Sequence, residues 1–274
     1  MKQCVLWVVL GTSSAAFAQP IEPSPATSPG FVTTDRFDAT SRVGGELSYL
    51  FLSGNGSGTA WRFDLHGQYF DPNNGFGGYA AIPFTLATGS GDSVTGGGDL
   101  EVGGFYIPKL ATPNFSIVIR AGLTLPTASR DTDSALVNSA VAEGSRPTDL
   151  YEMIPRGTSL RLSLSPIVRS GNLFARADIG IDKNLDADAG TNVDAFLRLN
   201  AAVGVDLDNA AIMAELVNVH TFGNAQDSWI DQLSLATRLR TPTVQPYAAL
   251  GFPLNRAVRD NIDAALTVGV EGNL

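Results

Sequence analysis

The chain lacks most of what marks a soluble enzyme or a helical membrane protein. Its one cysteine in 274 residues is Cys4, inside a stretch built like an export signal, so neither a disulfide framework nor thiol chemistry is expected of the mature protein. It has only two histidines, His66 and His220, and no GxSxG, HExxH or Gly-rich phosphate loop. Catalysis is thus left without a recognisable nucleophile, base or metal cage. Charged residues make up 16%, the net charge is −9, and lysine and arginine form no cluster, which argues against nucleic acid as a partner. No apolar run reaches the ~18–20 residues of a membrane-spanning helix.

The beginning of the chain reads as an export signal over residues 1–18: Lys2, an apolar Val5–Leu10 core, then Ala16-Phe17-Ala18, with cleavage expected between Ala18 and Gln19. The apolar core is too short to act as an anchor. Residues 19–42 carry Pro20, Pro23, Pro25 and Pro29 without a sustained period. They read as an extended linker on the periplasmic side, the alternative being a plug tucked into the body that follows.

That body begins to show itself at Thr59–Phe70. Trp61, Phe63, Leu65 and Tyr69 fall on one parity, and Arg62, Asp64, His66 and Gln68 on the other. A strand sends alternate side chains to opposite faces, so this segment has one apolar and one charged face. Similar segments are Val43–Leu52, Phe76–Leu86, Leu100–Ile107, Phe115–Leu125, Thr158–Arg169, Leu173–Asp182, Val193–Asp206, Ala210–Thr221, Trp229–Arg240, Val244–Phe252 and Ile262–Glu271. The ninth of the series changes phase near Glu215-Leu216, and Pro83, Pro166 and Pro246 fall inside segments, where bulges or strand ends would accommodate them.

Gaps after even-numbered segments are short and rich in Pro, Gly, Asn and Asp, while most gaps after odd-numbered ones are longer. One tight rim and one elaborate rim is the pattern of membrane barrels. Tyr69, Phe70, Phe76, Tyr79, Tyr106 and Phe115 fall toward the tight rim, and Trp61 and Trp229 toward the other, as two interfacial girdles. The expected fold is all-β: a closed antiparallel transmembrane β-barrel over residues 43–274, an up-and-down meander of about 12 strands. A soluble β-sandwich is the alternative, with aromatics gathered at mid-strand.

The last strand places Leu266, Val268, Val270, Gly272 and Leu274 on one parity. In signal, hairpin alternation and this final strand the chain resembles Gram-negative outer-membrane β-barrels. That resemblance implies the outer membrane as location, its lipid as surroundings, and the barrel assembly machinery as a partner. Leu274 stands where such barrels usually end in Phe. Gly122–Asp131, GLTLPTASRD, also resembles the Gly-x-x-Leu-Pro-Thr-Gly segment of a family of outer-membrane transporters linked to phenol degradation, with Ala128 in place of the last Gly.

Inward positions by parity are Arg62, Asp64, His66, Asp99, Glu101, Arg120, Arg161, Arg176, Asp178, Asp194, Arg198, Arg238 and Arg240. Either they line a narrow aqueous pore, or they pair across the lumen and fill it, since twelve strands lie between a filled interior and a wide channel. The arginines of the later strands favour anions if unpaired, and otherwise neutralise Asp178 and Asp194. Pro126–Gly157, the longest connection, is either a constriction folded inward or a surface-recognition element. Asp182-x-Asn184-x-Asp186-x-Asp188 resembles half a calcium loop, but Ala187 and Val193 occupy the positions that need Gly and Glu. No metal and no cofactor are therefore expected.

The rival class is an outer-membrane lipid hydrolase. Against it, His66 faces the lumen, and His220 has no Ser two residues on. The functional expectation is a monomeric barrel for passive, selective passage of small polar or amphiphilic solutes. The second expectation is a closed structural or surface-recognition barrel whose external loops bind a partner.

Overall fold

The computed structural model describes residues 31–53, 58–89, 93–110, 114–128, 132–153, 157–186, 193–223 and 228–274. The export signal and its cleavage point lie outside the described residues, as do linker residues 19–30 and positions 187–192 of the calcium-like run.

Among the described residues, antiparallel strands follow one another in chain order. They are β1 (Arg42–Leu52), β2 (Thr59–Asp71), β3 (Phe76–Thr88), β4 (Ser93–Gly97), β5 (Leu100–Tyr106), β6 (Phe115–Leu125) and β7 (Ser159–Ser170). Then come β8 (Leu173–Asn184), β9 (Val193–Leu207), β10 (Ala210–Gly223), β11 (Ser228–Leu239), β12 (Val244–Pro253) and β13 (Ile262–Asn273). Each pairs with its successor, except that β4 and β5 both pair with β3. The sheet closes where β1 pairs with β13, from Arg42↔Asn273 to Leu52↔Ile262. Twelve strands therefore form the ring and β4 extends it.

The unexpected β4 falls in a stretch that reads as loop because its glycines hide any alternation. It continues β5 through a bulge: Gly98–Leu100 lie opposite only Ile82 and Pro83. Gly98 N–H donates to Pro83 O at 2.9 Å, so the proline sits where the ladder is already irregular. Pro246, near the start of β12, has a partner on β13 but none on β11. Strand β10 has no bulge near Glu215. Burial alternates from Ala211 to Val219, and the register shifts only at Phe222/Gly223. Its phase looked broken because Met213, Val217 and Val219 are apolar yet point inward.

The outer face is apolar: Leu65, Ile119, Leu162, Ile179, Val203, Ile212, Leu235 and Val268 are exposed along successive strands. Tyr69 and Phe76 stand out from the tight rim and Trp229 from the elaborate rim. Phe70 and Tyr79, assigned above to the girdle, are buried inside, because their parity is that of Gln68 and Gly77. At the tight rim the turns are short, and Gly171 takes a φ of 58°, a left-handed turn conformation that favours glycine.

Two segments enter the ring. Residues 31–41, expected on the periplasmic side, are instead inside: Phe31, Thr34 and Asp38 have no exposed surface. Polar backbone at both ends of a short loop can bond inside a polar lumen, which composition alone does not reveal. The long connection also folds inward, as α1 (Thr132–Ser145) and the 3-10 turn Pro147–Met153. Val141 and Ala142 of α1 pack with Leu50, Phe196, Val219, Ile230 and Ile262, an apolar patch of the inner wall toward the elaborate rim.

The outward face predicts a specific sensitivity. In lipid vesicles, Leu235→Arg should destabilise the folded barrel by about 2–4 kcal/mol, as charge does near a bilayer midplane. Denaturant unfolding in vesicles measures this. An effect within about 0.5 kcal/mol, usual for a water-exposed site, would remove hydrocarbon from that face.

Candidate functional site

The lumen is divided into layers. Toward the tight rim, two apolar pockets face inward. One holds Phe31 among Phe174, Ala202, Ala211, Met213, Ala236 and Ala249. The other gathers Phe70, Tyr79, Phe105 and Ile107, with Phe37 against it at 4.3 Å from the Tyr79 ring. Gly122 leaves room for the Tyr79 hydroxyl, which a Cβ there would strike. Between these pockets and the α1 layer lies a belt of charge.

The belt is paired in detail. Arg62 grips Asp64 with two contacts of 2.8 Å and reaches Asp149 at 2.9 Å. Arg198 holds Asp182 through Nε at 2.8 Å and Nη2 at 3.0 Å, and Arg161 shares that carboxylate at 3.1 Å. Arg120 donates to Glu101 and, at 3.0 Å, to Asp35. Arg176 pairs with Asp178 at 2.7 Å, and Arg238 with Glu271 at 2.6 Å. Bidentate guanidinium–carboxylate pairs are the form in which charge is tolerated away from water.

Arg62, Asp64, Glu101, Arg120, Arg161, Arg176, Asp178, Arg198 and Arg238 all lie inside and are buried, on the parity expected of them. His66 joins them, with Nε2 at 3.2 Å from Glu271 and Nδ1 against Arg36. Asp99 is buried, but at the β4–β5 bulge, accepting from Ala128 N–H at 2.7 Å. Arg240 sits half-buried at the tight rim on Asp206. Asp194, expected inward, is instead exposed at the elaborate end of β9, so of the two acids the arginines were expected to neutralise only Asp178 lies inside, on Arg176.

Glu46, Asp182, Glu215 and Glu271 were missed, although each sits on the inward parity of its strand. Asp35, Arg36, Arg146, Asp149 and Glu152 come from the two inserted segments, where no period assigns a face.

Among the described residues the N-terminal segment turns at Val32–Thr34 and runs down to β1 at the tight rim. Its turn is fastened to one wall residue. Glu215 accepts from the N–H groups of Val32, Thr33 and Thr34, each at 2.8 Å, and from both threonine hydroxyls at 3.1 Å. On the way down Arg36 meets Glu46 at 2.6 Å, and Phe37 O accepts from Arg176 at 2.8 Å. Burial opposes the charged form of Asp35, yet Arg120, Arg176, Arg198 and Arg161 hold its carboxyl below the usual range.

A small, partly open cavity remains between the N-terminal turn, the 3-10 turn and the β2–β3 wall. Five arginines (Arg36, Arg120, Arg146, Arg161, Arg198) and five carboxylates (Asp35, Asp64, Glu101, Asp149, Glu152) line it. Burial, with Asp149 and Glu101 close by, pushes the Glu152 carboxyl up. Asp64, Asp149 and Glu152 bring oxygens within 4.8 Å of one another. Arg62 contacts all three, so a guanidinium already fills the place of a cation.

Removing the fastening has a measurable consequence. Glu215→Ala strands buried N–H groups, at about 1–3 kcal/mol for such a loss, and should lower the denaturant midpoint of the mature protein. In a chain lacking residues 19–40 the same substitution should change it little. Equal losses in both backgrounds would show that Glu215 does not act through the turn.

No protein-family model and no curated protein matches the chain. Solved structures do. The COG4313 outer membrane channel from Pseudomonas putida F1 superposes with a TM-score of 0.66 at 12% identity, covering 94% of this chain and 100% of that one. The NanC porin matches at 0.54 and 12%, over 85% and 100% of the two chains. The KdgM porin gives 0.52 and 14%, over 85% and 99%. LpxR from Salmonella typhimurium, an enzyme, stands at 0.50 and 10%. At these identities the likeness establishes the fold: a closed β-barrel of the outer-membrane type.

Proposed function

We propose that the chain resides in the outer membrane and passes small polar or amphiphilic solutes down their gradients, resting in a closed state. The tight rim then faces the periplasm and the elaborate rim the exterior. The observation that carries this reading is what fills the lumen. The obstruction is not the wall itself but two tethered segments, 31–41 and 132–153, much of whose hold on the wall is polar. The extent of the match to the COG4313 channel supports the same class.

The paired belt argues for solutes that are neutral or carry balanced charge. One KdgM structure holds disordered oligogalacturonate; here Arg120, Arg161, Arg176 and Arg198 meet carboxylates, so no cationic row recommends an acidic oligosaccharide. The pockets that hold Phe31 and Phe37 suit a flat apolar group. That is the sense in which we retain the finer likeness, to transporters linked to phenol degradation. Within its described part, residues 122–128, the segment Gly122–Asp131 ties the ends of neighbouring strands: the Thr127 hydroxyl accepts from Leu100 N–H and the Thr124 hydroxyl from Ser159 N–H, both at 2.8 Å.

The same features count against an enzyme. The outward His220 stacks on Trp229 at 4.7 Å and touches Phe222, as an interfacial aromatic does. Among the described residues the enclosed charged groups are engaged in ion pairs and hydrogen bonds, Arg62 with Asp64 and Arg198 with Asp182 among them.

Planar-bilayer recording tests the proposal. The mature chain should show small or rare unitary steps, and a chain lacking residues 19–40 should show steps several-fold larger. Two silent proteins, both shown to be folded by heat-modifiable migration, would overturn the channel and leave the structural barrel.

A further inference from the structure

The two obstructions hold each other. At the turn of the N-terminal segment every N–H of Val32, Thr33 and Thr34 goes to the wall, through Glu215. Every carbonyl of the same three residues goes to the other obstruction. Arg146, just after α1, donates from Nη1 to Val32 O and from Nη2 to Thr34 O at 3.1 Å. The Thr148 hydroxyl donates to Thr33 O at 3.0 Å. Arg146 is 5% exposed and also pairs with Asp149, which reaches Arg62 on β2.

We propose that segment 132–153 and the N-terminal segment open as one gate, joined by Arg146. The rigid guanidinium fork spans alternate carbonyls, a grip that a lysine ammonium cannot reproduce. If the outer segment withdraws, three buried carbonyls lose their donors together. A buried acceptor without a partner is unfavourable, so the inner segment loosens as well. Coupling of this kind is reciprocal: release of the inner segment strips Arg146 of two acceptors and loosens the outer one. A solute that displaces segment 132–153 at the exterior mouth thereby unfastens the periplasmic mouth some distance away.

The mature chain has no cysteine beyond the export signal, so single thiol reporters give the readout. Val32→Cys, at a site 2% exposed, should react slowly with a maleimide in the refolded full-length mature protein. Adding Arg146→Ala should speed that reaction about tenfold or more, within the range of ordinary coupling. Arg146→Lys should behave like the alanine variant, and Thr148→Val should give a smaller rise. In the reverse direction, a Val141→Cys reporter in α1 should react faster when Glu215→Gln frees the inner turn.

An unchanged Val32→Cys rate in Arg146→Ala, or a Val141→Cys rate indifferent to Glu215→Gln, overturns the coupling. Should Arg146→Ala fail to fold, Thr148→Val decides, since it removes one hydroxyl. The readout needs no conductance: coupled labelling in a protein silent in bilayers would keep the joint and discard the channel.

Discussion

A backbone that crosses hydrocarbon has no water to satisfy its N–H and C=O groups, so every rung must be paired within the sheet. The β1–β13 pairing meets that demand, joining the first strand to the last along almost their whole length. Everything else follows from the closed ring. Closure gives each strand one apolar outward face and one face toward an enclosed space, and twelve strands enclose more than their own side chains fill. The excess is taken up by residues 31–41 from one mouth and 132–153 from the other.

Inside the ring the electrostatics is strict. Breaking a buried ion pair by removing one partner costs about 3–5 kcal/mol, so charge drawn inward arrives in pairs. Wall pairs such as Arg198–Asp182 and Arg238–Glu271 are closed among strands and stiffen the ring. The inserted segments add a second scheme to ion pairs of the same kind, such as Arg36–Glu46 and Asp149–Arg62. The turn at Val32–Thr34 presents its N–H groups to Glu215 of the wall and two of its carbonyls to Arg146 of the other inserted segment. Charge-assisted bonds to backbone are strong and need no counter-charge at the turn itself.

The barrel was legible because lipid-facing and lumen-facing residues alternate, and the alternation is clean in β6, β8 and most of β9. It failed where the lumen itself turns apolar. Val217 and Val219 point inward against the α1 layer, and Met213 lies in the Phe31 pocket, so β10 carries apolar residues on both faces. Strand β4 was lost to its glycines. The charged belt was half visible: Arg62 and Asp64 declare themselves by parity, while their third partner, Asp149, sits in a 3-10 turn with no period to read. The N-terminal segment misled for a related reason. Proline-rich composition marks extended chain, and extended chain inside a polar lumen has the same composition as extended chain in water.

The inner wall bears on whether the filled state is final. A barrel meant only as a solid scaffold can fill itself with long inward side chains from its own strands, as small membrane barrels do. Here the wall is cut back where the segments lie. Ala202, Ala211, Ala236 and Ala249 surround Phe31, and Ser163 meets Asp35 at 3.0 Å. Among the described residues these small inward residues leave a space that a separate piece of chain occupies, tied by identifiable polar bonds. Removing it would leave the alanines, Phe174 and Met213 facing an open space beside the charge belt, and not the interlocked side chains of a self-filled core.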